Sequence, residues 1–538
     1  MPSTLIASII PGGTGERSAA ADGRWLVVCA MAGVLWGLTA PGLLPENVLP
    51  VRLSALLNWI LWAPWLVALL SAGSWRQRIL LTLAFALPAF VLWFGWFTDI
   101  RPLDWMGIPE PWGLLVGLMA TGAVALAGAG LLMLWMVLWC GLTVPAGHQP
   151  GMPHWLIAGL CAAGFGVLAA TVMALYRVNP FWVPLALPAY TQTGLHAVCI
   201  LAGWLGVNGL NALILTHNAW WAVCIGRQGL WRGLWPALAG SLLVVALALT
   251  GLAVTEKSGS DPLSLPVMIV QADLPIAVIR STAANRLAAR TTYLASLQKI
   301  ALQPGTLVVL PEEGALPGVV AVDAPENNPF YAAYAQLARQ KQVSVVTGAI
   351  TRSPKTGDVW NSLILISPSG PAQYHHKVAL VPFGETTPLI PGQWVAALLK
   401  VWGIDYSDGF SVGYPAAPLS VKAMAGDRSV TLAGLVCFEL LETGMVSDYR
   451  QDGAQLLVAA SNLGWFHGNR QLSAEYFAAG RVQAAANRLP LVLASNTGVS
   501  ALVDGHGQTV VPSRHQAMPN GQDGTGGLAT RVMQYSSR

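Results

Sequence analysis

Charged residues are scarce in this chain. Asp, Glu, Lys and Arg together make up 10% of the 538 residues, whereas hydrophobic residues make up 54%. A soluble globular protein carries about 25% charged residues, so this composition excludes an ordinary soluble protein. The formal net charge of +4 is small. Because no basic stripe suited to nucleic acid is present, no nucleic-acid partner is expected.

Acidic residues and lysine are missing above all from one half of the chain. Residues 25–255 are nearly free of both, whereas residues 256–538 have the mixture of an ordinary soluble domain. We place the main domain boundary at this shift. Residues 1–24 are small and polar and lack the charged start and compact apolar core of a cleavable signal peptide. They are predicted to form a polar N-terminal tail.

Cysteine is also rare. Five of the six cysteines lie in apolar segments, where we expect them to pack as small hydrophobic side chains. Cys437 alone lies in the second half, so that half cannot form an internal disulfide bond. No Cys-x-x-Cys pair and no paired Cys/His spacing is present, so the sequence predicts neither a metal site nor a cofactor.

Long apolar runs fill the first half. A helix needs about 20 residues to cross a bilayer, and about seven runs reach this length. They lie near residues 25–45, 53–73, 79–98, 113–142, 154–176, 195–225 and 233–255. The sequence therefore predicts a membrane domain of about seven helices over residues 25–255.

The arginines between these runs predict the orientation of the membrane domain. With seven spans, three arginine pairs fall on one side and three single arginines on the other. The pairs are Arg17 and Arg24, Arg76 and Arg78, and Arg227 and Arg232, and the single residues are Arg52, Arg101 and Arg177. Because cytoplasmic loops carry the excess of Lys and Arg, the N-terminus is predicted in the cytoplasm and the second half on the opposite side.

The second half alternates short strands with helices. Predicted strands include residues 267–271, 306–310, 343–348, 361–366, 455–460 and 490–495, and predicted helices include 284–301, 329–341 and 471–488. This alternation is typical of a layered α/β domain, which we place at residues 262–505. Residues 506–538 are rich in Gly, Gln and Ser and have no long apolar run, so we predict a flexible C-terminal tail.

Three ionisable residues lie at or beside the ends of predicted strands. Glu312 follows strand 306–310, Lys377 precedes an apolar run, and Cys437 ends the buried run 432–436. A cysteine nucleophile needs a base to take its proton and a positive group to hold the developing oxyanion. Glu312 and Lys377 would supply these groups. Taken alone, Cys437 would more often be a buried core thiol.

The order Glu312, Lys377, Cys437 resembles the carbon-nitrogen hydrolase (nitrilase) superfamily. The run Leu-Val-Pro-Phe-Gly-Glu after the lysine is similar to one branch, the apolipoprotein N-acyltransferases. This resemblance implies a multi-span α-helical membrane domain followed by an α/β domain, an αββα sandwich. It also implies that Glu312 is the general base, that Lys377 stabilises the oxyanion and that Cys437 is the nucleophile. Glu313 is the alternative base, because residues 313–317 also fit the family pattern.

The resemblance implies three supporting residues. Glu385 matches a second functional glutamate of the branch and would orient Lys377. Glu439 matches a glutamate two residues after the nucleophile, and Phe438 stands where the family has tyrosine.

Four residues are predicted to contact substrate. Asn462 and Trp465 lie in the run Ser-Asn-Leu-Gly-Trp-Phe, which is similar to a pattern of the same branch. Trp394 and Trp402 flank a short apolar segment. This segment either dips into the membrane surface and admits an acyl chain or packs on its own domain.

The resemblance further implies an activity and a location. The chain would move an acyl chain from a phospholipid to an amine, as on a lipoprotein, through a Cys thioester. It would do so in the bacterial inner membrane, with the hydrolase domain on the periplasmic side. Leu463 and Leu493 replace an acid and an arginine that are usual in the family, so the substrate could differ.

Two alternative functions remain open from the sequence. One is a membrane-tethered amidase or nitrilase that acts on a small C–N substrate. The other is an envelope protein of the conjugal-transfer TraB type, since no further apolar run follows the hydrolase domain as it does in most of the branch.

Overall fold

The computed structural model divides the chain into two compact units, which we describe separately. One comprises Met1–Thr98 and Val116–Ser258, and the other comprises Asp99–Leu115 and Gly259–Arg538. The structure describes residues 19–103, 108–143, 154–258, 265–271, 273–274, 283–312, 316–387, 394, 397, 400, 409–414, 418–422, 429–510, 514–518 and 530–535.

The first unit is α-helical. Its helices are α1 (Ala19–Leu38), α2 (Val51–Leu57), α3 (Ala63–Ser71), α4 (Trp75–Phe94), α5 (Trp112–Thr143), α6 (His154–Leu175), α7 (His196–Gln228) and α8 (Leu230–Ser258). The first four residues of α5, 112–115, are counted with the second unit. Helix α1 begins inside the predicted N-terminal tail, and residues 1–18 of that tail lie outside the described residues.

Five apolar helices of the described residues are long enough to cross a membrane. They are Trp75–Ile100, Trp112–Thr143, Trp155–Val178, His196–Gln228 and Leu230–Thr255, and the apolar helix Gly23–Leu38 is shorter. The prediction of one continuous span near residues 53–73 is wrong, because this run forms the two short helices α2 and α3. A proline in the first turn of α3 lacks a backbone N–H, which suits a helix start. Hydropathy alone does not detect such a break.

Side chains satisfy the backbone groups that the break between α2 and α3 leaves free. The Asn218 carboxamide accepts the N–H of Trp62 at 3.1 Å and donates to the carbonyl of Asn58 at 3.0 Å. Nδ1 of His217 donates to the carbonyl of Trp59 at 2.8 Å. Irregular backbone at membrane depth needs partners of this kind, because lipid offers none.

The described residues of the second unit form two sheets, with helices between the strands. Its strands are β1 (Val267–Gln271), β2 (Leu307–Val309), β3 (Val319–Ala321), β4 (Ser344–Arg352), β5 (Val359–Ile366), β6 (Gln373–His376), β7 (Leu419–Lys422), β8 (Ser429–Val436), β9 (Leu456–Ser461), β10 (Leu491–Ser495), β11 (Ala501–Val503), β12 (Thr509–Val510), β13 (Arg514–Met518) and β14 (Thr530–Tyr535). Its helices are α9 (Ala283–Lys299), α10 (Pro329–Lys341), α11 (Thr443–Gln451) and α12 (Arg470–Asn487).

The strands form two separate sheets. The first sheet runs β13-β14-β1-β2-β4-β5-β6, with β3 paired to β4, and the second runs β12-β11-β10-β9-β8-β7. Strands β1, β2 and β4 are parallel neighbours, as are β8, β9 and β10. Parallel strands place their carboxyl ends at one edge, where sites in α/β proteins form.

The sheets pack face to face with helices outside. On β1, Ile269 belongs to a buried cluster shared with the second sheet, including Val458. The adjacent Met268 instead packs with Tyr293 of α9 and Tyr334 of α10. This alternation follows the two-residue period of a strand, and α12 covers β10 of the second sheet. The predicted αββα sandwich is therefore confirmed.

For the described residues 509–510, 514–518 and 530–535, the prediction of a flexible tail over residues 506–538 is wrong, because they form strands. Strand β14 pairs antiparallel with β1 over the full length of β1, from Val267 opposite Tyr535 to Gln271 opposite Arg531. Strand β13 in turn pairs with β14. The backbone of β1 would otherwise lie at the sheet edge with unpaired N–H and C=O groups. The polar composition of residues 506–538 gave no sign that they contain a strand paired with β1.

Candidate active site

Cys437 lies at the carboxyl end of the buried strand β8. Its φ of +48° is in the left-handed region, which a side chain with a Cβ adopts only under strain. It opens a short 3-10 helix, Cys437–Leu441, and the residue as a whole is half-buried. The hydroxyl of Tyr476 donates to the Cys437 carbonyl at 2.7 Å, which helps to hold this backbone turn.

Glu312 lies just after β2 and is 6% exposed. Its Oε2 accepts the backbone N–H of Asn462 at 2.9 Å, and its Oε1 accepts from Nδ2 of Asn361 at 2.7 Å. Both carboxylate oxygens are therefore fixed by the surrounding fold. The alternative base, Glu313, lies outside the described residues.

Lys377 follows β6 and is 1% exposed. Its Nζ lies 2.7 Å from Oε2 of Glu385 and 3.9 Å from Oε1 of Glu312. Asn361 connects all three residues, because its Nδ2 also donates to Oε1 of Glu385 at 2.9 Å and its carbonyl accepts the N–H of Lys377 at 2.8 Å. The structure thus brings together the three residues that the sequence predicted as base, oxyanion partner and orienting glutamate.

The charges of this cluster act on the thiol of Cys437. Burial and the carboxylates of Glu312 and Glu385 raise the pKa of the Cys437 thiol, whereas Lys377 opposes this effect. Burial lowers the pKa of Lys377, but Glu312, a thiolate at Cys437 and Glu385 outweigh it and raise that pKa overall. At neutral pH the lysine is therefore charged and the thiol protonated, so the thiol needs a base to react.

Glu439 is fully buried and joins the chain beside Cys437 to the chain after Lys377. One oxygen accepts the N–H of Val378 at 2.6 Å and the other the N–H of Val436 at 2.7 Å. Burial alone would raise the pKa of Glu439, but His375 and the backbone donors lower it overall. Phe438, between nucleophile and glutamate, is partly exposed.

The four predicted substrate contacts fall in different environments. Oδ1 of Asn462 accepts from Gly464 N–H and from Nδ2 of Asn496, both at 3.0 Å, so its side chain is engaged within the fold. Trp465 packs partly buried against the core under the first sheet. Trp394 is 68% exposed, and Trp402 lies outside the described residues.

No role was predicted from the sequence for Asn361 or for the two histidines before Lys377. A buried polar residue on the apolar strand β5 was the available signal for Asn361. His375 is 1% exposed and lies 2.8 Å from Glu439. Nδ1 of His376 lies 2.7 Å from Oγ of Ser362, and burial together with His375 lowers the pKa of His376 to about 4.

No group of three or more His, Cys, Asp or Glu side chains among the described residues could hold a metal ion. The arrangement at Cys437 instead suits proton transfer and nucleophilic attack, with a carboxylate and an ammonium fixed beside one another.

Known proteins resemble this chain in sequence. Residues 269–518 match the family model of carbon-nitrogen hydrolases. An apolipoprotein N-acyltransferase of Bordetella bronchiseptica is 27% identical over 95% of this chain and 92% of its own length. The corresponding protein of Nitrosomonas europaea is 28% identical over 60% of this chain and 60% of its own length. The crystal structure of Nit3 from Saccharomyces cerevisiae, a member of the nitrilase superfamily, aligns with 51% of this chain and 90% of Nit3, at 17% identity and a TM-score of 0.33.

The matches to apolipoprotein N-acyltransferases extend through both the helical unit and the hydrolase domain. Residues 269–518 therefore match a carbon-nitrogen hydrolase domain, and the chain as a whole is similar to the apolipoprotein N-acyltransferase branch of that superfamily.

Proposed function

We propose that this protein is a membrane N-acyltransferase that transfers an acyl chain from a phospholipid to an amine through a thioester on Cys437. The observation that carries the proposal is the buried cluster of Glu312, Lys377 and Glu385, whose charges act on the Cys437 thiol. The five apolar helices of the same chain supply a membrane anchor, which suits a lipid substrate.

The first half-reaction forms the thioester. Glu312 takes the thiol proton as the sulfur of Cys437 attacks the ester carbonyl of the phospholipid, and a C–S bond forms. The carbonyl oxygen becomes an oxyanion that the ammonium of Lys377 stabilises. When this intermediate collapses, the ester C–O bond breaks. Glu312 then gives its proton to the departing alkoxide, which leaves as a lysophospholipid.

The second half-reaction passes the acyl chain to the acceptor. The neutral amine attacks the thioester carbonyl, Glu312 takes one amine proton, and Lys377 again holds the oxyanion. The C–S bond breaks, the product amide leaves and the thiolate recovers the proton from Glu312. The acceptor suggested by the relatives' names is a lipoprotein, and the amine would be that of its N-terminal residue.

Apolar surface in the hydrolase domain would suit a long acyl chain. Exposed Trp394 and partly exposed Phe438 supply apolar surface in the hydrolase domain. We place this domain on the periplasmic side of the bacterial inner membrane, which the arginine distribution predicts when the run near residues 53–73 crosses the membrane as the helix pair α2 and α3.

Mass spectrometry of the intact protein tests this proposal. After incubation with a dipalmitoyl phospholipid in detergent, we expect a palmitoyl mass on Cys437 that disappears when a lipopeptide with a free N-terminal amine is added. Cys437→Ala should carry no such mass, and Glu312→Gln should acquire it far more slowly.

Other outcomes would select other functions. Acylation of Cys437 by small amides but not by phospholipid would identify a membrane-tethered amidase. No acylation by either class in a folded protein would refute the transferase and favour an envelope-assembly role of the conjugal-transfer type.

A further inference from the structure

A buried histidine outside the proposed catalytic trio joins the two sheets. His375 lies on β6 of the first sheet, opposite Leu363 of β5. Its imidazole contacts two residues that follow strand β8 of the second sheet. Nε2 lies 2.8 Å from Oε2 of Glu439, and Nδ1 lies 3.1 Å from the hydroxyl of Tyr449 on α11. All three side chains are buried, with exposures of 1%, 0% and 6%.

The second sheet leaves room for this ring at one position. A Cβ placed on Gly434 of β8 would lie 3.2 Å from Cβ and 3.4 Å from Cγ of His375. Such distances are tighter than ordinary carbon contacts, so any larger residue at position 434 would press on His375. The glycine therefore permits the imidazole to reach Glu439.

The positions of the protons on His375, Glu439 and Tyr449 follow from the chemistry of the three side chains. Glu439 accepts the backbone N–H groups of Val378, Ala379 and Val436 and has a lowered pKa, so it is an ionised acceptor. Nε2 of His375 must then donate to it. Burial and Glu439 raise the pKa of Tyr449, so its hydroxyl is neutral and can donate to Nδ1. In the neutral imidazole, this hydroxyl selects the tautomer that carries the proton on Nε2.

Glu439, held by His375, in turn hydrogen-bonds the backbone on both sides of the site. Its carboxylate bonds the N–H of Val436, directly before Cys437, and the N–H of Val378, directly after Lys377. One carboxylate therefore fixes the distance between the backbone of the nucleophile and that of the oxyanion partner. A carboxylate that is itself unfixed could not do so.

We propose that His375 is a positioning residue that holds Glu439, and through it the backbones at Cys437 and Lys377, with Tyr449 fixing its tautomer. The proposal rests on the proposed function for its role in catalysis. It concerns His375 and Tyr449, which act through Glu439 and touch no reacting atom.

The test compares His375→Leu, which removes the donor, with His375→Gln, whose side-chain N–H can replace Nε2. Two rates are measured on the full-length protein: palmitoylation of Cys437 by phospholipid, and alkylation of Cys437 by iodoacetamide at one pH, quantified on the Cys437 peptide. Since a displacement of about 1 Å in a site can cost about 100-fold, we expect His375→Leu to slow palmitoylation by about that factor and to slow alkylation as well. His375→Gln should recover most of both rates.

Two further variants guard against a simple folding defect. Tyr449→Phe should slow palmitoylation several-fold, by about 3- to 10-fold for one neutral hydrogen bond. It should have no further effect in the His375→Gln background, where the ring nitrogen is absent. Gly434→Ala should resemble His375→Leu.

Two results would overturn the proposal: a His375→Leu protein that reacts like wild type, or a folded His375→Gln protein as slow as His375→Leu. If wild type forms no palmitoyl-enzyme, the proposed function fails. The alkylation rates need no acyl donor and would still decide the role of His375.

Discussion

The ammonium of Lys377 lies 2.7 Å from Oε2 of Glu385, and the lysine side chain is 1% exposed. This buried pair has opposite effects on the nearby thiol. Glu385 raises the pKa of Cys437, whereas Lys377 lowers it. The two residues can therefore be separated by experiment, although they touch.

Lys377→Met should make the Cys437 thiol less acidic. The charge that stabilises a thiolate is lost, so the midpoint of iodoacetamide alkylation against pH should move upward. Acyl-enzyme formation should fall by about 100- to 1,000-fold, since one oxyanion donor is commonly worth that much. An unchanged alkylation midpoint would show that the lysine does not act on the thiol.

Glu385→Gln should move the same midpoint in the other direction. Removal of a negative charge lowers the pKa of Cys437 and also that of Lys377, because Glu385 raises both. Alkylation measured from pH 6 upward should therefore begin at lower pH than in wild type. The matched control is Glu326→Gln at an exposed position, for which we expect the wild-type profile.

Asn361→Leu should destabilise the hydrolase domain. The change removes the amide that donates to Glu312 at 2.7 Å and to Glu385 at 2.9 Å, and it leaves the buried oxygen of Glu312 and the half-buried oxygen of Glu385 short of a donor. We expect a loss of about 1–3 kcal/mol in the free energy of unfolding. Asn361→Asp should cost more because it adds a third negative charge. Denaturant unfolding followed by tryptophan fluorescence would measure both, and equal stability of wild type and Asn361→Asp would contradict this account.

Cys437→Gly should be more stable than Cys437→Ala. Alanine keeps the cost of a Cβ at φ +48°, whereas glycine adopts this region freely. After the greater entropy of glycine in the unfolded chain is subtracted, we expect a difference of about 1 kcal/mol. Both variants should be inactive, so a comparison of thermal unfolding in detergent isolates the backbone strain. A glycine variant that melts below the alanine variant would argue against strain at this position.

Asn218→Leu should weaken the first unit. The N–H of Trp62 and the carbonyl of Asn58 would lose their partner at the break between α2 and α3. We expect a cost of about 1–2 kcal/mol, within the range for hydrogen bonds inside membrane proteins. Thr250→Leu is the control, because the exposed Thr250 hydroxyl bonds only the carbonyl of Ala246 in its own helix. Equal melting temperatures for the two variants would rule out this role for Asn218.

Much of the hydrolase domain could be predicted from local sequence. Parallel strands buried on both faces appear as continuous apolar runs, so β4, β9 and β10 stood out, and residues at their ends could be grouped into one site. Strand β14 could not be recognised, because its pairing with β1 depends on a partner far away in the chain.

The hydrogen bonds inside the site were harder to predict from the sequence than the residues that form it. Glu312, Lys377 and Cys437 occupy the strand ends that the residue pattern and family resemblance indicated. The hydrogen bonds of Asn361 and His375 cross between strands or sheets, and no local period in a sequence encodes such contacts. The break between α2 and α3 escaped detection for a related reason, since its polar partners lie on α7.

The pairing of β1 with β14 also affects how the protein is made. During translation, β1 emerges before every other strand of the domain, yet its antiparallel neighbour is synthesised after all of them. The nascent hydrolase domain must therefore keep one side of β1 uncovered until synthesis has passed Tyr535. Contacts between such distant segments form slowly, so closure of the first sheet is a late event, after the apolar helices have left the ribosome.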